Sequence, residues 1–347
     1  MSPSANYTFA SDNTAGICAP ALAAINATNG VAEPSYGDDV HTAEAKRQFQ
    51  ALFETDCEVF FVFNGTAANA LALSAICERH HAIVCHELSH VDTDECAAPE
   101  FFTGGSKVLP LAAPLAKLRP SDLEPVFHRG HGVHYPKIRA LSLTQSTELG
   151  TVYTPAELRA LCDLAHARGL AVHVDGARFA NAAAAAHERG HSPADLTWRA
   201  GVDVLCFGGT KNGLLTTEAV VFFNRELARE FEYRVKQSGQ LASKMRFATA
   251  QWAAVLSTGA WLRQGAHANR AARELSDGLV ALGFPLLAPT EVNGVFVELP
   301  AKVFAALELR GWHFYRFVGE NGYRLMCSWA TRREEVQAFL ADVRAVT

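Results

Sequence analysis

The fold turns on Leu170-Ala171-Val172-His173-Val174-Asp175-Gly176-Ala177-Arg178, an apolar, β-branched run that stops at an aspartate. A helix precedes it over residues 154–168, with Thr154 as N-cap, Pro155 in the first turn, Glu157 at the capping-box position and Gly169 as the stop. The alanine run Ala182–Ala186 then reads as part of another helix, and Val202–Phe207 as a second buried strand ending at Gly208-Gly209. Helix and strand alternating in this way imply a mostly parallel sheet covered on both faces, the α/β class. Ligands gather beyond the C-terminal ends of such strands.

The pattern extends outward in both directions. Val59–Phe63, Ile83–Cys85, Ile138–Thr144 and Ala219–Phe223 read as further strands, and Ala67–Arg79 as a helix. After about residue 240 the texture changes. One long helix is expected from Leu241 to Leu282, followed by strands at Val295–Leu299, Phe314–Phe317 and Arg324–Trp329 and helices at 301–310 and 332–345. The expected organisation is a large domain with an N-terminal arm over residues 1–252 and a smaller C-terminal α+β domain over 253–347.

The 347 residues suffice for two packed domains. A formal charge of −5 with no basic run argues against a nucleic-acid or anionic-membrane partner. The start, Met1 to Ala10, has no signal-peptide pattern, and no stretch is long enough to span a bilayer. The eight cysteines are scattered without a Cys-x-x-Cys pair, so buried thiols in a reducing cytoplasm are expected.

Four segments carry chemistry. Asp175, at the end of a buried strand, needs a cationic partner; that partner is either Arg178 or a protonated pyridine nitrogen, as in sites for pyridoxal phosphate (PLP). Phe207-Gly208-Gly209-Thr210-Lys211-Asn212-Gly213 offers a lysine in a loop that a ligand can approach closely. Alone it reads as an exposed loop lysine; one strand–helix–strand interval after Asp175, it reads as the carrier of PLP as a Schiff base. Asn64-Gly65-Thr66 at a strand-to-helix junction is an anion site or a plain N-cap. His86-Glu87-Leu88-Ser89-His90 matches the zincin pattern literally, which requires a helix; Ala82–Cys85 before it reads as a strand, leaving His90 to stack on a flat cofactor.

Together these segments resemble the threonine aldolase family of fold-type I PLP enzymes. The resemblance rests on Ser11-Asp12-Asn13-Thr14, Tyr36-Gly37-Asp38-Asp39, Asn64-Gly65-Thr66, His90 with Glu95, His134, His173 to Arg178, Thr210-Lys211 and Arg324, in that order. The loop Thr144-Gln145-Ser146-Thr147-Glu148 departs from the family's Asn-Thr-His-Asn type.

The resemblance implies retro-aldol cleavage of threonine, allo-threonine, phenylserine or a related β-hydroxy-α-amino acid to glycine and an aldehyde. It implies Lys211 as the PLP lysine, Asp175 at the pyridine nitrogen, His90 on the ring, Gly65 and Thr66 at the phosphate, and Thr210 and Arg178 as further cofactor contacts. Ser11, Arg178 and Arg324 would take the substrate carboxylate, a task that suits a guanidinium fork, and Asp94 the hydroxyl. His90 or His134, directly or through water, would serve as base. Tyr36 would enter from a neighbouring subunit, with a basic residue near Lys244 or Arg246, which implies a homodimer or homotetramer with shared sites. No metal is expected. Competing readings are a β-eliminating lyase, an aminotransferase or a glycine hydroxymethyltransferase on the same scaffold, a zinc hydrolase using His86 and His90, or a binding protein without turnover.

Overall fold

The computed structural model describes residues 5–130 and 132–347. Seven strands form the central sheet: β1 (Glu58–Val62), β2 (His81–His86), β3 (Lys107–Leu111), β4 (Lys137–Thr144), β5 (Ala171–Gly176), β6 (Val204–Gly208) and β7 (Glu218–Phe222). Their order is β1-β7-β6-β5-β4-β2-β3. Pairing is parallel from β3 through β6, while β7 runs antiparallel to both β1 and β6.

Both faces of this sheet are covered, which explains the unbroken apolar runs. Val172, Val174, Leu205 and Phe207 point into one cluster with Phe49, Phe53, Trp252 and Trp261. Ala171, Val204, Cys206, Val220 and Phe222 point the other way, onto Leu71, Leu73 and Phe231. Helix Pro155–Ala167 has the expected capping box: Glu157 donates its N–H to Thr154 Oγ1 at 3.2 Å, and Thr154 donates its own to Glu157 Oε2 at 2.7 Å.

A second, three-stranded sheet holds β8 (Gly294–Glu298), β9 (Tyr315–Val318) and β10 (Gly322–Met326), in the order β8-β10-β9. Its core includes Leu275, Val297, Leu325 and Phe339. Phe9 from the N-terminal segment joins that same core and accepts the Met326 N–H.

Two departures from the sequence reading are instructive. The expected helix from Leu241 to Leu282 is two helices, Arg246–Ser257 and Ala260–Ala281, separated at Gly259 with φ +66°. That left-handed conformation ends the first helix, and glycine adopts it without steric cost. Strand β3 was not anticipated; Lys107 and Pro110 break its apolar pattern, which an edge strand tolerates.

Two glycines fix how the Lys211 loop meets the sheet. A side chain at Gly208 would put its Cβ 2.3 Å from Ala177 O, and one at Gly209 would put it 2.4 Å from Thr217 O. Only glycine lets the ends of β5 and β6 and the Lys211 turn approach this closely.

No helix among the described residues is long and apolar enough to cross a membrane.

Candidate active site

Sheet register places Thr144, Asp175 and Cys206 side by side at the C-terminal ends of β4, β5 and β6. Two cavities open there, of about 440 and 370 Å³. They share Asn13, His90, Asp175, Ala177 and Lys211, so they are two lobes of one site.

Asp175 is buried, and its carboxylate is closely held. Oδ1 accepts the Ala177 N–H at 2.9 Å, and Oδ2 accepts Asn69 Nδ2 at 2.9 Å. Asn69 Nδ2 also reaches Glu95 Oε1 at 3.0 Å, and that same oxygen meets His90 Nδ1 at 2.7 Å. The Glu95 hydrogen bond raises the His90 pKa against the opposing effect of burial. His90, Glu95 and Asp175 offer ligand atoms within 4.8 Å of one another, a spacing a metal could use. Asn69 and the His90 ring already engage Glu95 Oε1, and Asn69 also engages Asp175 Oδ2. Beneath them His173 is fully buried between Ser142 Oγ and Cys206 Sγ, and burial lowers its pKa to about 4.

Lys211 sits on a short 3-10 turn, Thr210–Asn212. The Arg178 charge and then burial lower its pKa, with Asp12 and Asp175 opposing. That favours the neutral amine a nucleophile needs.

The smaller lobe begins at helix Gly65–Ile76. The Asn64 side chain caps Ala67 N–H at 2.9 Å, leaving the first two amides, of Gly65 and Thr66, at the cavity rim. A Cβ built on Gly65 meets nothing within 4 Å. Room, helix dipole and a threonine hydroxyl together suit a phosphate. Thr210, Thr216 and Glu218 close this lobe. Burial raises the Glu218 pKa to about 7, although its carboxylate accepts the Gly209 N–H at 2.5 Å.

The larger lobe is lined by Ser11, Asp94, Glu148, Arg178 and Arg324, with Phe296 and Phe317 as an aromatic wall. Arg324 lies 5.1 Å from the Phe317 ring, and its Nε is buried without a hydrogen-bond partner among the described residues. A half-buried guanidinium in that state calls for an anion.

The residues present therefore fit the expected PLP: a buried carboxylate, a lysine of lowered pKa, and a cradle of amides with open space.

Several expectations change. Arg178, expected at the substrate carboxylate, borders the larger lobe and donates to Asp12 through Nε at 2.7 Å and Nη2 at 3.0 Å, whereas Arg324 Nε has no partner among the described residues. Ser11 lines the lobe, but its Oγ accepts the Asn13 N–H at 3.2 Å. His134 does not join the site within this chain: it ends the 3-10 turn Gly132–His134 and borders a separate cavity beside Phe127, Tyr135 and Arg168. Tyr36, expected to serve a neighbouring subunit's site, lies outside this chain's own cavity, exposed at φ +63° with Lys236 Nζ 4.7 Å from its ring centroid. The zincin pattern is not helical, since β2 ends at His86 and a one-turn helix begins at His90. Both His86 ring nitrogens bond backbone, at Leu88 and Ala113.

Asn69, Glu218 and Asn293 were not singled out from sequence. Asn69 offered one signal, an amide inside a helix otherwise made of small and apolar residues.

A model of the beta-eliminating lyase family matches residues 8–302. The chain is 53% identical to the low specificity L-threonine aldolase of Pseudomonas aeruginosa over 97% of each chain. In structure it is similar to the threonine aldolase of Leishmania major, with a TM-score of 0.91, 29% identity, and coverage of 99% of this chain and 100% of that one. It shares the fold alone with the serine palmitoyltransferase of Sphingomonas wittichii, at TM-score 0.75 and 15% identity over 97% and 86% of the two chains. The architecture is that of fold-type I PLP enzymes.

Proposed function

We propose, from the premise that the chain belongs to the beta-eliminating lyase family, that it is a carbon–carbon lyase of the threonine aldolase type. It cleaves L-threonine and related β-hydroxy-α-amino acids to glycine and an aldehyde. Its cofactor is pyridoxal 5′-phosphate. When bound, that group supplies a cationic conjugated ring that accepts the electron pair released at the substrate α carbon.

The observation that carries the reading is the convergence of Lys211 and Asp175 on one cavity, with a phosphate cradle on one side and an open guanidinium on the other. Lys211 holds the cofactor covalently through Nζ, and its lowered pKa keeps a neutral amine available. Asp175 holds the pyridine nitrogen, its carboxylate steered by Asn69 and the Ala177 amide. Gly65, Thr66 and Thr210 hold the phosphate. His90 stacks on the ring, fixed in orientation by Glu95. Arg324 binds the substrate carboxylate, and Asp94 faces the substituent side of the same lobe. Arg178 positions Asp12 beside Lys211 and borders the same lobe as Arg324.

A separate C-terminal unit is supported by its own apolar core, which begins at Ala271 and which Phe9 joins, while Val255, Ala260 and Trp261, beyond the expected division at 252/253, pack into the core of the large domain. A homodimer or homotetramer is supported by the exposed Tyr36, Val40 and Phe63. Residence in the cytoplasm is supported by the eight unpaired cysteines, seven of them buried.

Product analysis tests the function. Threonine should yield glycine and acetaldehyde in equal amounts without added folate; a keto acid, or a folate requirement, would assign another reaction on the same scaffold.

A further inference from the structure

The assignments above leave the substrate's β-hydroxyl proton without an acceptor. His134 lies elsewhere in the chain. His90 has one ring nitrogen bound to Glu95, and that bond makes the ring hold its proton more firmly. One carboxylate in the same lobe has no task. Glu148 lies in the loop that leaves β4, and it lines the cavity with Lys211, Asp94 and Arg324.

Its two oxygens are treated differently. Oε1 accepts the Thr144 hydroxyl at 2.6 Å. Oε2 is buried and takes no well-formed hydrogen bond among the described residues. The charged and titratable groups around it come from every neighbouring element: Asp175 on β5, Arg178 just beyond it, His90, Cys85 on β2, and Tyr153. Arg178, the cation whose field reaches Glu148, is committed to Asp12. Burial pushes Glu148 up to about 7; the Thr144 hydroxyl and the amides of Glu148 and His90 pull it down, and Asp175 pushes it up further. A carboxyl poised near neutrality can both accept and return a proton.

On the reading that this cavity cleaves β-hydroxy-α-amino acids, we propose that Glu148 is the catalytic residue that accepts the β-hydroxyl proton through Oε2, with Thr144 as its positioning residue. The O–H bond breaks and its proton goes to Glu148. The oxygen's electron pair becomes the second bond of the aldehyde carbonyl. The Cα–Cβ bond breaks, and the cofactor, when bound, would supply the sink for its electron pair. Cα then takes one proton from solvent and Glu148 gives one back, so glycine and aldehyde together contain the atoms of the substrate.

Glycine separates this role from a structural one, because it has no hydroxyl. Two rates are measured in wild-type holoenzyme and in Glu148→Gln: threonine cleavage, and exchange of the glycine α proton in deuterated water. Infrared titration of the apoproteins follows the carboxyl itself. The expected result is cleavage slowed at least about 100-fold in kcat, the size of a lost general base. Glycine exchange should stay within about threefold, and a carboxyl band that titrates near neutrality in the wild type should be absent from the variant. Cleavage retained within about threefold, or both rates falling together, would overturn the assignment. A wild type that neither cleaves threonine nor exchanges glycine would overturn the underlying function as well. Should Glu148→Gln fail to fold, Thr144→Val decides. Loss of the hydroxyl donor disfavours the carboxylate, so the acid limb of kcat/KM should move to higher pH; an unmoved limb contradicts the proposal.

Discussion

Asp12 and Arg178 form a two-point ion pair next to Lys211, with Asp12 almost wholly buried and also accepting from Asn293 Nδ2 at 3.1 Å. Burial alone would raise Asp12, but the charges of Arg178 and Lys211, with the hydrogen bonds of Arg178 and Asn293, hold it below its ordinary value. Arg178 is in turn the largest influence lowering Lys211. The pair therefore sets both the shape of the N-terminal arm and the poise of the lysine.

Asp12→Asn should destabilise the protein by about 3 kcal/mol, because it leaves a buried guanidinium uncompensated. A depressed carboxylate contributes stability above its unfolded pKa and loses it as pH falls through the folded one. The gap between wild type and variant in denaturant midpoint should thus be full at neutral pH and close in acid. A gap independent of pH would separate Asp12 from this role.

Arg324→Ala should raise KM for threonine by about 10- to 100-fold, the loss of a charged hydrogen bond, with a smaller effect on kcat. Arg324→Lys should recover only part of the loss, since an ammonium lacks the planar fork. Steady-state kinetics on both variants checks this, and an unchanged KM would contradict the carboxylate assignment.

Asp175→Asn should weaken PLP retention on dialysis and lower kcat by about 100-fold or more, as for the removal of a preorganised electrostatic partner. Asn69→Ala should move both quantities in the same direction by less, because Asn69 acts by holding Asp175 and Glu95. Wild-type behaviour in Asp175→Asn would remove it from the cofactor.

His86→Ala should cost stability, about 1–2 kcal/mol for backbone partners left unsatisfied. Its activity per bound PLP should stay within about threefold of wild type. Elemental analysis alongside should find no stoichiometric zinc. Zinc lost on this substitution, together with activity, would revive the metal reading.

The sheet was legible because its strands are buried on two faces and read as unbroken apolar runs that end on marked residues, Asp175 and Gly208. The antiparallel direction of β7 was not legible, since hydrophobic runs carry no sense of direction. Lys211, Asp175 and His90 declared themselves by order along the chain and meet in one cavity. The pairing of Arg178 with Asp12 was not legible, because the two stand 166 positions apart and only the fold brings them together. Asn69 and Glu218 were hidden within regular elements, where a lone polar residue looks like a solvated one until the face it lies on is known. His134 borders a separate cavity within one chain, and Tyr36 is exposed outside this chain's cavity, as a contact made to a neighbouring subunit requires.

The central claim is that Lys211 carries the cofactor. Borohydride reduction of the purified holoenzyme, followed by peptide mapping, tests it most directly. The account predicts loss of the visible band, loss of turnover, and a single modified peptide bearing the cofactor mass on Lys211, all absent from Lys211→Ala. Modification of a different lysine, or a Lys211→Ala protein with the wild-type spectrum and turnover, would contradict it.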